Sequence, residues 1–403
     1  MRVAQVAEGE VRVRLAIFVD QVFWHKAGRL STDESYVLFF MKFLDVVDEL
    51  VFVGREAPDN GAGAFPLDHP RVSFRPLPYY ESVYQLWRTL PGIYRKVRNE
   101  LQAEAGTWDL ALINGPHPLG HIIARQCIAA GVPIIPVLRQ NLLEMMKAHG
   151  GLKRLVSMLG AWGLEKDLMR LARGRSTLAV GQEMADVYRG TSSHVQSFMP
   201  CLIDDEKFQA FSRMAPSGNP DRLIIVGRLS AEKGHKVLFK ALAELKSRGR
   251  ACRLDVVGTG PLEATLRDAA RQSGIDTQVR FHGFVPFGPE LFELYQSAGV
   301  AVFPSTTEGL PQVVNEALSI GLPVIASRVG GIPAFLTHGE TALLVPPCDP
   351  SALADAIQEL GDHGDLYRHI QRNGRALMAR NTLEANRDIV MEVIHNELSA
   401  RRA

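Results

Sequence analysis

Two glutamates near position 310 are of a type and spacing that could bind a ligand together. They lie in PSTTEGLPQVVNEALSIGLPVIASR, where Glu308 precedes a predicted helix and Glu316 stands on it. A helix start presents free backbone N–H groups, which bind anions. Carboxylates beside it could accept hydrogen bonds from hydroxyl groups while the backbone amides bind a phosphate. A sugar nucleotide carries both kinds of group. The alternative is a surface loop that enters an ordinary packed helix.

Two cations follow a predicted strand further upstream. In IIVGRLSAEKGHK, Arg228 and Lys233 come directly after a strand that ends at Gly227. Ligands of open parallel sheets bind at such strand ends. An arginine fork and a lysine point charge suit a diphosphate. Two solvated surface cations are the alternative.

The next two strand ends carry backbone features. VVGTGP contains Gly258 and a second glycine two residues on, which would let a flat ring approach the chain closely. The third glycine of a dinucleotide fingerprint is missing, so that signal is weak. FHGFVPF could place Phe284 and Val285 as a wall beside a nucleobase, or it could be a core strand end.

A histidine follows a strand in the first half, in INGPHPLGH. The spacing of its glycines resembles a P-loop, but His121 stands where lysine is required, so we reject that interpretation. His117 lies in the predicted loop, where it could bind substrate or carry a proton near neutrality. The alternative is a hydrogen-bonded structural group.

Size and composition exclude several classes of protein. A chain of 403 residues favours two domains, and a formal charge of +1 leaves no basic excess for nucleic acid. The four cysteines are far apart, which fits a reducing cytoplasm, and the first twenty residues lack the pattern of a signal peptide. No apolar run is long enough to span a membrane. DxD, GxSxG and HExxH motifs are absent, so we expect no metal site.

Strands and helices alternate along the chain, which predicts an α/β fold with parallel sheets. A periodicity break at 201–220 predicts a linker between two Rossmann-like halves with a cleft between them. Helices are predicted from about residue 33, around Pro91–Gly92, after residue 116 and over 142–175. Predicted strands cover 14–19, 49–55, 72–80, 108–116, 132–140, 176–181, 194–200, 223–227, 252–258, 279–285 and 300–305.

The segment 139–175 carries eight basic and three acidic residues, a local excess of five. A solvated helix face explains this excess. Contact with an anionic membrane surface or an acidic acceptor is the functional alternative.

Five segments in order resemble the retaining glycosyltransferases of GT-B fold that form family GT4, also called glycosyltransferase group 1. They are GRLSAEKG, LDVVGTGP, VRFHGFV, EGLPQVVNE and GLPVIASRVGGIPAFLTHGETALLVPPCDPSAL. The resemblance is strong over about residues 222–360 and loose over the first half. It implies an acceptor-binding domain over 1–205, to which helices from about 380–403 return. Residues 206–380 would form the nucleotide-sugar-binding domain.

The resemblance also implies roles for single residues. Arg228 and Lys233 would hold the donor diphosphate, and Glu308 would bind hydroxyls of the transferred sugar. Glu316 would bind the ribose, and Val285 would border the base. The other predicted donor contacts are Gly28, Gly227, Gly258, Phe284, Gly309, Leu310 and Pro311. The predicted catalytic residues are Glu308, Lys233, Arg228 and His117.

One position departs from the family pattern. A histidine is expected about five residues beyond the aspartate of a central strand, and counting from Asp109 gives Asn114. Either His117 takes that role from a shifted loop, or the group is missing. The mechanism proposed for the family is a front-face substitution in which the leaving phosphate helps to deprotonate the acceptor. No protein nucleophile is then required.

These features predict a cytoplasmic, metal-independent, retaining hexosyltransferase, which could also lie peripherally at the inner face of the membrane through 139–175. Its donor would be a UDP- or GDP-linked sugar, with no cofactor. Its acceptor would be a glycan, a lipid-linked glycan or a small molecule, in surface polysaccharide or glycolipid biosynthesis. The rivals are a glycosyltransferase for a soluble natural product, a sugar-nucleotide epimerase or phosphorylase, and a sugar-binding protein without catalysis.

Overall fold

A computed structural model describes residues 13–26, 28–59, 61, 63–81, 86, 92–95, 97–99, 101, 104–139, 152–308 and 312–400. The chain forms two compact units. Unit 1 comprises Met1–Pro200 and Asn386–Ala403, and unit 2 comprises Cys201–Ala385. The last helix therefore begins in unit 2 and ends in unit 1. The boundary predicted from sequence lies five residues from the observed one.

Unit 1 is built on a nine-stranded sheet with β1 and β6 at its centre. Its strands are β1 (Arg14–Lys26), β2 (Arg29–Thr32), β3 (Glu49–Glu56), β4 (Phe65–Pro66), β5 (Val72–Leu77), β6 (Leu110–Gly115), β7 (Ile134–Leu138), β8 (Ser176–Val180) and β9 (His194–Phe198). Its helices include α1 (Tyr36–Met41), α2 (Pro118–Ala129), α3 (Leu152–Ala172) and α4 (Gln182–Tyr188). The inner strands are parallel, as the alternation predicts, and they are apolar because helices cover the sheet.

The start of unit 1 differs from the sequence prediction. The first strand does not end at Val19 but continues to Lys26 and turns back antiparallel into β2. Gly28 has a φ of 78° in this hairpin turn and is exposed. The helix predicted from about residue 33 begins at Tyr36. The hairpin was missed because the paired segments, 23–26 and 29–32, are only four residues long and their apolar pattern is interrupted.

Much of two predicted helices lies outside the described residues. Around Pro91–Gly92, the described fragments 92–95 and 97–99 are helical. Of the predicted helix over 142–175, the described part is α3. One face of α3 is buried, with Ala161, Glu165 and Leu168 at helical spacing. The hydroxyl of Tyr188 donates a hydrogen bond to Glu165, which satisfies that buried carboxylate.

Unit 2 is built on a six-stranded, wholly parallel sheet of order β12-β11-β10-β13-β14-β15. The strands are β10 (Arg222–Val226), β11 (Arg253–Val257), β12 (Val279–Gly283), β13 (Val300–Phe303), β14 (Val324–Ser327) and β15 (Leu343–Val345). The helices are α5 (Asp205–Ser212), α6 (His235–Ser247), α7 (Glu263–Gln272), α8 (Pro289–Ser297), α9 (Gln312–Ile320), α10 (Ile332–Phe335), α11 (Pro350–Asp362), α12 (Gly364–Met378) and α13 (Leu383–Ala400). Successive residues of β10 point to opposite faces, so Leu223 and Ile224 enter different apolar clusters.

The predicted linker at 201–220 is not irregular throughout. It contains α5, whose N-cap Asp204 accepts a hydrogen bond from the backbone of Lys207 at 2.8 Å. Phe211 buries the apolar side of this short helix in unit 2. The helix is only eight residues long and carries three charged residues, so its periodicity is weak.

Candidate functional site

The carboxyl edge of the unit 2 sheet brings together residues that are far apart in the sequence. β10 lies between β11 and β13, so the loops that follow these strands are neighbours. Gly227 and Gly258 follow β10 and β11 with φ values of 154° and 133°. A Cβ on Gly258 would lie 2.0 Å from the Gly227 carbonyl oxygen. Glycine at 258 is therefore required for the close approach of the two backbones.

The loop after β10 is held against the loop after β13. Gly234 has a left-handed φ of 70°, and a Cβ there would lie 1.9 Å from the Pro304 carbonyl oxygen. The backbone N–H of Thr306 donates to the Glu232 carbonyl at 2.8 Å. These contacts fix the position of Lys233. Lys233 is the last residue of a short 3-10 helix that lies between Gly227 and Gly234.

Lys233 and Glu308 form an ion pair at this edge. The Lys233 Nζ atom lies 2.5 Å from Glu308 Oε2, and Ser305 Oγ donates to the same oxygen at 3.3 Å. The two side chains are 25% and 15% exposed, so both remain accessible. Arg228 is exposed and has no ion-pair partner within the described residues. The structure thus pairs two of the four predicted polar donor contacts, Lys233 and Glu308, and leaves a second cation, Arg228, nearby in the chain.

A small pocket of about 10 Å³ is lined by Lys233, Glu308, Ser305 and a residue that sequence reasoning missed, His235. His235 is the first residue of α6, is 2% exposed, and neither ring nitrogen has a hydrogen-bond partner among the described residues. Burial, together with the charge of Lys233, lowers the pKa of His235 to about 4. The ring is therefore neutral at physiological pH. Its position directly after the Lys-Gly pair is the signal that could have found it.

Glu316 lies on α9 and is buried, with 8% exposure. The hydroxyl of Tyr295, on α8, donates to Glu316 Oε2 at 2.9 Å. Burial raises the pKa of Glu316 to about 7, although the bond from Tyr295 lowers it in part. Glu316 does not line the pocket that contains Lys233 and Glu308. The sequence predicted the residue but not the tyrosine that orients it.

The raised pKa of Glu316 leads to a prediction about stability. An acid that binds its proton more tightly in the folded state contributes stability below its unfolded pKa, here 4.5, and loses it as the pH rises through about 7. Glu316→Gln removes the ionisation. We compare the free energy of unfolding of Glu316→Gln with that of wild type at each pH. The difference, variant minus wild type, should be larger at pH 8 than at pH 5 by about 2 kcal/mol.

Denaturant unfolding of both proteins at the two pH values measures this difference. Because the comparison is between variant and wild type, the titration of other groups cancels. A stability difference that is the same at pH 5 and pH 8 would show that Glu316 has no raised pKa.

The remaining predicted donor contacts have varied surroundings. Phe284 follows β12 and is 72% exposed, whereas Val285 is 8% exposed and packs in the apolar cluster that contains Tyr295. Phe284 is thus free to contact a planar ligand, while Val285 has a core role. The residues Gly309, Leu310 and Pro311 lie outside the described part of the chain.

A second polar cluster occupies the carboxyl edge of the unit 1 sheet. Asp20 in β1 accepts a hydrogen bond from the Tyr80 hydroxyl. Its Oδ1 atom lies 3.1 Å from Arg55 Nε, and its Oδ2 atom lies 3.2 Å from His117 Nε2. Burial would raise the pKa of Asp20, but the bond and charge of His117 and the charge of Arg55 lower it overall. The cluster therefore holds an ionised carboxylate that is 26% exposed.

His117 is the N-cap of α2. Its Nδ1 atom accepts a hydrogen bond from the backbone N–H of Leu119 at 3.2 Å, so the ring proton lies on Nε2, toward Asp20 and Tyr80. Accepting a proton at Nδ1 would break the cap. This geometry favours a hydrogen-bond donor over a proton acceptor. His121, on α2, is buried with a pKa lowered to about 4 by burial, and it lies 3.1 Å from Asp167.

Asn114, the other candidate for the family histidine, is a buried structural residue on β6. Its Nδ2 donates to the Phe18 carbonyl at 2.7 Å, and its Oδ1 accepts from the Tyr36 hydroxyl at 2.8 Å. Of His117 and Asn114, His117 is the one that faces a charged group, the carboxylate of Asp20. The sequence prediction did not include Asp20, Arg55 and Tyr80. Each is a polar residue close to the end of an apolar strand, and that position could have marked it as a candidate site residue.

The capping role of His117 can be tested by stability. Asparagine is a good N-cap and keeps an acceptor near the Nδ1 position, while alanine does not. Both substitutions remove the bond to Asp20, so their difference isolates the cap. We expect His117→Ala to unfold more easily than His117→Asn by about 1 kcal/mol in urea titrations. Equal stabilities would mean that the side chain does not cap α2.

Among the described residues, no cluster of three or more histidine, cysteine, aspartate or glutamate side chains could hold a metal ion. No helix in the described part of the chain is both long and apolar enough to cross a membrane.

Comparison with known proteins finds similarity in both sequence and structure. Residues 207–377 match the model of the glycosyl transferases group 1. The chain is 34% identical over 178 residues to a putative colanic acid biosynthesis glycosyltransferase, WcaL, of Salmonella typhimurium, covering 42% of this chain and 43% of the relative. It is 33% identical over 166 residues to the alpha-D-kanosaminyltransferase of Streptomyces kanamyceticus, covering 40% and 42%. The chain thus spans less than half of the curated relatives that it matches.

Similarity of structure extends over nearly the whole chain. HepE of Anabaena, solved in complex with UDP, superimposes with a TM-score of 0.70 at 17% identity, covering 95% of this chain and all of that one. The protein therefore has the GT-B fold. Residues 207–377 are similar to the group 1 glycosyl transferases, in agreement with the resemblance seen in the sequence.

Proposed function

We propose that the protein is a retaining glycosyltransferase that moves a hexose from a UDP- or GDP-linked sugar to a hydroxyl acceptor, without a metal or cofactor. The observation that carries this proposal is the Lys233–Glu308 pair, which lines a pocket at the carboxyl edge of unit 2. Arg228 adds an exposed cation, and α9 begins just beyond Glu308. Positive charge and a carboxylate side by side suit a ligand that carries both phosphate and hydroxyl groups.

In this proposal, the ion pair opens when the donor binds. The diphosphate replaces Glu308 as the partner of Lys233, and the freed carboxylate accepts hydrogen bonds from the sugar hydroxyls. Arg228 adds a second charge to the diphosphate. Both cations then stabilise the negative charge that develops on the leaving group, which is the main source of rate enhancement.

The transfer needs no protein nucleophile. The bond between the anomeric carbon and the diphosphate oxygen breaks, and its electron pair stays on the diphosphate. The acceptor oxygen bonds to the same face of the anomeric carbon, and its proton passes to the leaving diphosphate. Asp20 and the Nε2–H of His117 are an acceptor and a donor of hydrogen bonds suited to orienting hydroxyl groups.

The similarity to WcaL supports surface polysaccharide or glycolipid biosynthesis as the setting. The similarity to a kanosaminyltransferase supports a soluble small-molecule acceptor as the second candidate. A cytoplasmic location, with contact between residues 139–175 and the inner face of a membrane, remains a prediction.

Product analysis by NMR tests the reaction class. The protein is incubated with UDP- and GDP-linked hexoses, with and without candidate glycan or lipid-linked acceptors. We expect an acceptor-dependent glycoside whose anomeric configuration matches that of the donor. An inverted product would refute retention, and a new sugar nucleotide formed from donor alone would favour an epimerase.

A further inference from the structure

Unit 2 contains a second concave site, at the opposite edge of its sheet. A groove of about 850 Å³ runs between α12 and the segment 212–218, which leads from α5 to β10. At this edge the backbone of Ser217 donates to the Gln296 carbonyl at 2.8 Å, and the Tyr367 hydroxyl donates to the Gly299 carbonyl at 2.7 Å. Ser217 precedes β10, and Gln296 and Gly299 precede β13. The groove therefore lies at the amino ends of the strands whose carboxyl ends carry Lys233 and Glu308.

The charged residues that line this groove are all basic. The residues that line it include four arginines and no acid, although basic and acidic residues are nearly equal in the whole chain, at 45 and 44. Two of the arginines are already engaged. Arg368 pairs with Asp365 at 2.6 Å, and Arg375 donates to the carbonyls of Met214 and Ile320 at 3.2 and 2.5 Å.

The other two arginines are available to a ligand. Arg213 and Arg372 are exposed, and neither guanidinium group has an ion-pair or hydrogen-bond partner among the described residues. The Nε–H of Arg375 is buried and also lacks a partner there. Guanidinium groups bind phosphate oxygens through paired hydrogen bonds. Phe208 and Met214 add apolar surface to the same groove.

We propose that this groove binds a soluble phosphorylated small molecule, with its phosphate between Arg213 and Arg372 and its body on the apolar surface. Its volume falls within the range of small-molecule sites. A lipid headgroup offers the same phosphate chemistry, but large exposed apolar side chains would be needed to enter the bilayer. Among the described residues of unit 2, those are Phe284 and Phe287, which follow β12 at the other edge of the sheet. The soluble ligand is therefore favoured.

Calorimetric titration with inorganic diphosphate tests the proposal. All proteins carry Lys233→Ala, so that binding at the carboxyl edge is weakened. The groove variant adds Arg213→Ser and Arg372→Ser. The control adds Arg267→Ser and Arg271→Ser, two exposed arginines of α7 that do not line the groove. We expect the parent and the control to bind diphosphate, and the groove variant to bind about tenfold more weakly.

Sedimentation with vesicles of phosphatidylcholine, with and without phosphatidylglycerol, distinguishes the source of the phosphate. Loss of binding to anionic vesicles in the groove variant alone, without any diphosphate effect, would overturn the soluble ligand. Equal diphosphate affinity of all variants, or no binding by any, would overturn the site itself. Thermal unfolding of each variant verifies that it is folded.

Discussion

Lys233→Ala is expected to lower the turnover of a nucleotide-sugar donor by about 100-fold or more, while the protein stays folded. Lys233 carries the only charge that the structure shows within 2.5 Å of Glu308, among the described residues. Without it, the departing diphosphate loses a fixed positive charge in the transition state. Release of nucleoside diphosphate from the donor measures the effect.

Lys236→Ala is the matched control for this substitution. Lys236 lies three residues further along the chain, on α6, and is exposed. It does not line the pocket, so its removal should change turnover less than about twofold. Near-normal turnover in a folded Lys233→Ala protein would refute the assignment of the diphosphate to this lysine.

Gly258→Ala is expected to produce the largest loss of stability. A Cβ at 258 would lie 2.0 Å from the Gly227 carbonyl oxygen, and the backbone φ of 133° is unfavourable for alanine. The loops after β10 and β11 must then separate, at a cost of about 3 kcal/mol or more. We expect the melting temperature to fall by about 10 °C.

Gly249→Ala separates the two causes of this loss. Gly249 also has a positive φ, of 85°, but a Cβ there meets nothing within 4 Å. It should therefore cost only about 1 kcal/mol, from backbone strain alone. Melting curves of the two variants, compared with wild type, give the difference. Equal losses would show that the close approach of the two loops is not maintained in solution.

The grouping of polar residues at the carboxyl edge of unit 2 could largely be predicted from the sequence. Arg228, Lys233 and Glu308 each follow an apolar strand directly, and parallel strands that are neighbours bring their ends together. The pairing of Lys233 with Glu308 could not be predicted. It depends on the contact of Gly234 with the Pro304 carbonyl, which links loops 70 residues apart.

The polar cluster of unit 1 was predicted only in part. His117 was singled out, but the other members of the cluster lie in β1 (Asp20), in β3 (Arg55) and three residues beyond β5 (Tyr80). Their meeting follows from the order β5-β3-β1-β6, which local patterns do not determine. Asp20 directly follows the apolar run 14–19, but that run does not reveal the partners of Asp20, which come from other elements.

Burial determines the surroundings of two further predicted site residues, Val285 and Glu316. Val285 was expected beside a base, but its neighbours form the core of unit 2. Glu316 was expected to bind a ribose, and the structure shows it buried, with the hydroxyl of Tyr295 on α8 bonded to its carboxylate. Both outcomes depend on how helices pack on the sheet, which the local sequence does not specify.

Calorimetric titration of wild type, Lys233→Ala and Lys236→Ala with UDP and GDP tests the central claim most directly, because it needs no acceptor. We expect one of these nucleotides to bind wild type and Lys236→Ala equally well, and to bind Lys233→Ala about tenfold or more weakly. Failure of both nucleotides to bind, or equal binding to all three proteins, would contradict a nucleotide-sugar site at the carboxyl edge of unit 2.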